Sequence, residues 1–347
     1  MEKRRKFVRT GLLLSAGLMI AASAGVQAAQ PVELAFSSWI PPTHVLMKDF
    51  MIPWGAQIEK ATEGRVKVHF LPKPVTNPVE HRDAIRDGVA DLSFISLSYY
   101  PGRFELMKFA MLPFSGNSSE STSVATWRMY EKYLHKTDDD GFIVLGLYGH
   151  GPGGVFTTKK KVEKIDDFSG LKIRIGGGMA ADVAKALNVN AIVKPAPESY
   201  ELLSTGVADG VFFPMESVAG FRLDGIVRYA TTFPGGLYSD VHAIIMNKQA
   251  FAKLSAKDQK TLLSLSGEHI ASMAGKAWGA ADVAGLETLK AKHVEFVQAS
   301  PQLVADVRAR TAAFEKDWLA LAARRGVDGP ALLADFRAEL KKLEATH

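Results

Sequence analysis

Gly170-Leu171-Lys172-Ile173-Arg174-Ile175-Gly176-Gly177-Gly178 alternates apolar and basic residues, then runs through glycines into residues 180–187, which are spaced like a helix. Side chains alternate across a strand, so Leu171, Ile173 and Ile175 are expected on one face and Lys172 and Arg174 on the other. A strand that turns directly into a helix is the repeating unit of an α/β sheet. In open sheets of this kind ligands collect at the carboxyl ends of strands beside helix starts, which is where Arg174 falls. A solvated strand face would account for Lys172 and Arg174 equally well if the segment stood alone.

The same alternation continues outward. Strands are predicted at 32–38, 66–71, 91–96, 142–148, 191–194, 210–214 and 241–247, with helices at 48–61, 81–89, 121–136 and 199–205 among them. Everything after Ser255 reads as helix. The fold class is α/β with mixed, mostly parallel sheets and long C-terminal helices. No repeat or low-complexity linker marks an internal boundary.

The chain opens as an export signal. Lys3, Arg4, Arg5, Lys6 and Arg9 precede an apolar run over residues 11–26, and Val26-Gln27-Ala28 supplies a small-residue cleavage site. The run is broken by Ser15 and Ser23 and is softer than the roughly 20 strongly apolar residues that span a bilayer. Residues 1–28 are therefore expected to be removed and the mature chain to be periplasmic. Arg4-Arg5-Lys6-Phe7-Val8-Arg9 also resembles a twin-arginine signal, so both export routes stay open. About 319 residues then remain, more than a single core usually supports, and two domains or lobes are expected.

Composition excludes several classes. The formal charge of +5 falls to about +1 once the signal's five cations and Glu2 are gone, and no basic stripe with interleaved aromatics exists, so no nucleic-acid partner is indicated. The absence of cysteine rules out disulfides, thiolate metal sites and a cysteine nucleophile. Gly149-His150-Gly151-Pro152-Gly153-Gly154 fits a GxGxxG pattern after a predicted strand, yet Val155-Phe156-Thr157 follows where a dinucleotide site needs a helix. A tight turn between lobes is the expectation there, with no cofactor. His44, His69, His81, His135, His150, His242 and His269 are scattered without ligand spacing, so no metal is expected. Asp138-Asp139-Asp140 reads as a solvated turn. No nucleophile elbow or Ser/His/Asp grouping stands out, and the chain is not expected to be an enzyme.

Further segments stand in order around Gly170–Arg174: Thr62-Glu63-Gly64-Arg65-Val66, Asp87-Gly88-Val89-Ala90-Asp91, Leu112-Pro113-Phe114, Glu198-Ser199-Tyr200 and Gly206-Val207-Ala208-Asp209-Gly210. They resemble the TGGR(I/V), GxxD, LPF, EvY and GvvDG segments that flank a GLKIR strand in the DctP-like solute-binding proteins of TRAP (tripartite ATP-independent periplasmic) transporters. The likeness covers most of residues 32–250. It implies a two-lobed periplasmic binding protein, class II-like, with crossing hinge strands. Lobe 1 would hold residues 29–152 plus about 238–278, and lobe 2 residues 153–237 plus about 279–347. It also implies a small carboxylate ligand, membrane permease subunits as partners, and a bidentate salt bridge from Arg174 to the ligand, for which a planar guanidinium fork is suited.

The chain departs from that pattern where many relatives carry a GfR arginine and a QENP asparagine; Gly154 and Phe213 occupy those places. One arginine and a phenyl ring suit a monocarboxylate with an apolar or aromatic body, because a second carboxylate would be buried without a partner. A hydroxybenzoate, arylglyoxylate or mandelate type is expected. The alternatives are a C4-dicarboxylate or other carboxylate binder, a periplasmic α/β hydrolase, or a sensory protein. Phe212 and Phe213 point opposite ways on one strand, so one of them faces the cleft. By loop position Trp39 and His44, after the first strand, and Tyr99, Tyr100 and Arg103, after the third, join the candidate contacts. Their structural alternatives are Trp39 in the core, His44 capping the helix from Val45, and Arg103 paired with Glu105. Arg128 and Arg222 are assigned to solvated helices. Monomer and dimer both stay open.

Overall fold

Eleven strands among the described residues sort into two sheets that share no strand. In chain order they are β1 (Val32–Ser37), β2 (Val66–Phe70), β3 (Leu92–Ser96), β4 (Phe142–Gly149), β5 (Gly154–Thr157), β6 (Lys172–Ile175), β7 (Asn190–Val193), β8 (Gly210–Phe213), β9 (Tyr229–Thr232), β10 (Val241–Asn247) and β11 (Glu295–Gln298). The structure is a computed structural model and describes residues 30–135 and 141–345. The export signal at 1–28 and the Asp138-Asp139-Asp140 turn lie outside the described residues.

The first sheet runs β2-β1-β3-β10-β4 and the second β11-β9-β5-β8-β6-β7. In the first, β1 pairs parallel with β2 and β3, while β10 lies antiparallel between β3 and β4. Every residue of β3 and of β10 is buried, as near-continuous apolar strands covered on both faces must be. In the second, β6 pairs parallel with β7 and β8, and β5 is antiparallel to β8 and β9.

Helices cover both sheets: α1 (Ile52–Ala61), α2 (His81–Arg86), α3 (Ser119–Met129), α4 (Gly178–Ala186), α5 (Ser199–Ser204), α6 (Met215–Gly220), α7 (Lys248–Ala252), α8 (Ala256–Ser264), α9 (Glu268–Ala291), α10 (Pro301–Thr311), α11 (Ala313–Arg324) and α12 (Gly329–Glu344). Glycine lets α9 pack at both ends. A Cβ at Gly275 would lie 2.5 Å from Glu120 Cα in α3, and one at Gly285 would lie 2.7 Å from Met215 O in α6.

The chain passes between the sheets three times: from β4 to β5, from β9 to β10, and through α9 to β11. The first passage is the glycine-rich motif, and a strand rather than a helix follows it. At Gly151 the Asp282 carboxylate stands where a Cβ would go, and at Gly153 the Tyr238 ring does. Those glycines serve close approach between neighbouring segments.

Three expectations need correction. The tail is not all helix, because β11 interrupts it, and β9 was not anticipated. Both are four-residue strands, too short to show a period, and they are ordered by pairing with each other. The last two helices also pack against segments around the first sheet. Trp318 in α11 donates to Leu106 O at 2.9 Å, Phe336 in α12 meets Phe109 edge-on at 5.0 Å, and Glu339 accepts from Arg128 in α3 at 2.7 Å. Arg128 is half-buried on a helix that is itself mostly buried, and it also donates to Glu268 at 2.6 and 2.8 Å. Arg222 is exposed but sits in the turn after α6, at a φ of 60°.

Candidate ligand-binding site

β3, β6 and β8 end on a common cavity, which the inter-sheet crossings and α9 close from the other side. Its empty space, open solvent included, is ≈ 570 Å³. Arg174, at the end of β6, is 1% exposed. Its Nε and Nη2 both donate to Lys194 O, at 2.9 and 2.6 Å, and its guanidinium lies 4.6 Å from the centre of the Phe213 ring. The carbonyl thus takes up one edge of the fork. The Nη1/Nη2 edge, with its parallel N–H groups, is the one left to meet a carboxylate end-on. Burial pulls the Arg174 pKa down, and nearby Tyr99, Tyr238 and Asp240 oppose that. An arginine so placed stays charged at neutral pH.

Two aromatic walls flank the arginine. On one side Trp39 stacks on Phe94 at 4.5 Å, donates its Nε1–H to Phe94 O at 3.3 Å and leans on Tyr99 at 5.8 Å. On the other, Phe213 stacks on Phe221 at 5.7 Å with the planes 15° apart. Tyr99 is fixed by its hydroxyl, which accepts the Ala196 N–H at 2.9 Å, so a residue after β3 is tied to the segment after β7. Gly154 lies directly opposite Phe213 on β5 and adds no side chain to the wall.

His44 faces the same cavity and caps as well: its Nδ1 accepts the Leu46 N–H at 3.3 Å. That fixes the proton of the neutral ring on Nε2, which lies 3.2 Å from Glu216 Oε1. The approach is off-axis for a hydrogen bond, so the pair is close without being well aligned. Glu216 also accepts from Ser217 Oγ at 2.9 Å, and its backbone N–H donates to Asp282 Oδ1 at 2.8 Å. Burial pushes Glu216 up to about 8 and Asp282 up to about 7, and brings His44 down to about 4. At neutral pH the His44–Glu216 pair is mainly uncharged.

Arg174, Phe213, Trp39, His44 and Tyr99 are brought together here. Three other candidates lie elsewhere. Phe212 points to the opposite face of β8, fully buried in the core with its ring 6.0 Å from Tyr238. The Tyr100 hydroxyl accepts from Arg82 N and donates to Pro78 O, both at 3.2 Å, so it is spent on the first sheet's own loops. Arg103 is exposed in the turn beyond and does not line the cavity. Sequence reasoning missed His150, Asp240, His242, Glu216 and Trp278. The histidines had been tested only for metal spacing, and no group of metal-holding side chains exists among the described residues. Asp240 is held by Ser96 and Ser98 hydroxyls, each at 2.6 Å, and Ser98 therefore has no histidine as its base.

The family of bacterial extracellular solute-binding proteins, family 7 (DctP), matches residues 36–320. This chain belongs to that family. As a family 7 solute-binding protein it is periplasmic, and it is similar over nearly its whole length to TRAP proteins of known structure. A TRAP periplasmic solute-binding protein of Bordetella bronchiseptica, solved with bound (R)- and (S)-mandelate, is 60% identical, with a TM-score of 0.89 over 90% of this chain and 100% of that one. A marine metagenome TRAP protein specific for aromatic acids, solved with 3-hydroxybenzoate, is 28% identical, with a TM-score of 0.84 over 90% of this chain and 99% of that one. The outer membrane transporter protein TsaT of Comamonas testosteroni is 29% identical over 94% of this chain and 97% of its own length. The two-lobed α/β architecture and the family resemblance read from the sequence are both borne out.

Proposed function

We propose that this solute-binding protein captures an aromatic monocarboxylate between its lobes and delivers it to the membrane permease subunits of a TRAP transporter, with no chemical step. The observation that carries this reading is charge within the cavity. Among the described residues Arg174 is its one Lys or Arg side chain, set between aromatic walls, and its other ionisable side chains apart from histidine and tyrosine, Asp240 and Glu216, are acidic. A carboxylate at the Nη1/Nη2 edge of Arg174 would place its ring against Phe213 and Trp39. A second carboxylate would meet no cation and would be buried unpaired. The similarity to proteins that bind mandelate and 3-hydroxybenzoate supports the same ligand class. Lobe 1 is taken as residues 29–152 with about 238–278, and lobe 2 as 153–237 with about 279–347. The ligand touches both and so favours the closed form by its differential affinity.

The test is calorimetric titration of protein unfolded and refolded to strip carried-over ligand, against benzoate, 3-hydroxybenzoate, mandelate, phenylglyoxylate, succinate and gluconate. Binding confined to the aromatic acids, with each acid recovered unchanged by mass spectrometry, is expected. Binding of succinate alone would favour the C4-dicarboxylate alternative, and turnover of an ester or phosphate substrate by the pure protein would revive the hydrolase.

A further inference from the structure

At the end of the cavity formed by β10, the β4–β5 crossing and α9 stand His150, His242 and Trp278, each no more than 6% exposed. Their rings lie 5.0 Å (His242–Trp278), 5.9 Å (His150–Trp278) and 6.4 Å (His150–His242) apart. His150 Nε2, His242 Nδ1 and Trp278 Nε1 are all buried without a protein hydrogen-bond partner. A buried polar atom left unpaired is costly, and three around one cavity wall point to an external partner. Their polarity says which. His150 Nδ1 faces Gly151 O, an acceptor, so Nδ1 carries the proton and Nε2 offers a lone pair. Burial holds both imidazoles neutral, with His242 brought down to about 4. Trp278 Nε1–H can only donate.

We infer that His150, His242 and Trp278 form a hydroxyl-recognition site, taking an O–H carried by the aromatic acid whose carboxylate sits on Arg174. The hydroxyl would accept from Trp278 Nε1 and donate to His150 Nε2, with the His242 ring, 5.0 Å from Trp278, bordering the same spot. A keto oxygen could only accept and would leave His150 unpaired; a second carboxylate would face its lone pair. The site thus selects hydroxylated acids over both their deoxy and their oxo counterparts. The inference rests on the ligand reading above and deepens it.

Matched pairs test it: benzoate against 3-hydroxybenzoate for a ring hydroxyl, and phenylacetate and phenylglyoxylate against mandelate for a side-chain hydroxyl, titrated into wild type and Trp278→Phe. In at least one series the hydroxylated acid should bind about 10-fold tighter or more, as two buried hydrogen bonds warrant. Trp278→Phe should reduce that ratio to less than about 3-fold. Whichever pair shows the preference identifies the hydroxyl's position. Should the variant fail to fold, the wild-type pairs and the indole N–H resonance of Trp278, expected to move downfield only with the hydroxylated acid, decide the matter. Aromatic acids that bind without hydroxyl preference overturn this inference and leave the transport reading intact, whereas failure of every aromatic acid to bind overturns both.

Discussion

Replacing Arg174 by lysine separates charge from geometry. In the native cavity two donors of the guanidinium hold Lys194 O at 2.9 and 2.6 Å while the plane rests on Phe213 at 4.6 Å, so the remaining edge is aimed before any ligand arrives. An ammonium keeps the charge but cannot hold that carbonyl and still present two parallel N–H groups. The loss amounts to one charge-assisted hydrogen bond of about 1.5–3 kcal/mol, or roughly 10- to 150-fold in affinity. Arg174→Met removes the charge too and should cost about 3–5 kcal/mol, between about 100-fold and several thousand-fold. Without ligand the same change removes a buried cation whose charged form burial disfavours, against the loss of its bonds to Lys194 O. These effects oppose, and the melting midpoint of the apo protein should shift by no more than about 4 °C. Calorimetry with the tightest aromatic acid, alongside thermal melts of each apo variant, reads both quantities. Arg174→Lys binding within twofold of wild type would refute the reasoning, because the carboxylate could then not lie on the fork.

Stability should fall as pH rises from about 6.5 to 8.5. Glu216 and Asp282 are raised to about 8 and 7, so their contribution is complete below the unfolded carboxyl values and is lost as pH rises through the folded ones. His44 and His242, lowered to about 4, act with the opposite sign only between about 4 and 6.5. Urea melts at pH 6.5 and 8.5 should therefore show a decline that Glu216→Gln lessens, and a flat or rising profile contradicts the assignment. Phe213→Leu keeps the wall apolar but removes the stacks on Arg174 and Phe221. About 10-fold weaker binding of aromatic acids is expected by titration, and an unchanged affinity would place the ring elsewhere. Gly275→Ala drives a Cβ to 2.5 Å from Glu120 Cα and should destabilise the fold by about 1–3 kcal/mol in urea melts, whereas Gly279→Ala, with 3.3 Å to Ser119 Oγ, should be milder.

Strands were legible where alternation or an apolar run showed, as in β1, β3, β4 and β10; β6 was readable from its glycine-bounded motif, and the four-residue β7 and β8 were also predicted. What escaped was short or non-local. β9 and β11 carry four residues each; β11 is a strand through its pairing with β9, and β9 through its pairing with β5 and β11. Docking of α11 and α12 on the segment around Leu106 and Phe109 depends on contacts more than 200 residues apart in the chain. The arginine and its aromatic neighbours could be placed because each lies at or just beyond the end of a predicted strand, and strand ends converge in this class of sheet. Tyr100 and Arg103 follow the same strand as Tyr99, and loop position alone could not tell which side chain turns inward. Glu216 and Trp278 lie on helices whose apolar faces give no hint that they border a cavity, and His150 was masked by a glycine pattern that suggested a different chemistry.

Helix α9 is continuous from Glu268 to Ala291 and is keyed into α3 at Gly275 and into α6 at Gly285, about 15 Å apart along its axis. Any rotation of one sheet against the other must be absorbed as curvature between those two fixed points. That stretch carries Trp278 on its cavity side, Asp282 against the first crossing, and Val283, 65% exposed, on its outer surface. The rod thus ties the two sheets together, and any change in the angle between them would have to pass through these middle turns.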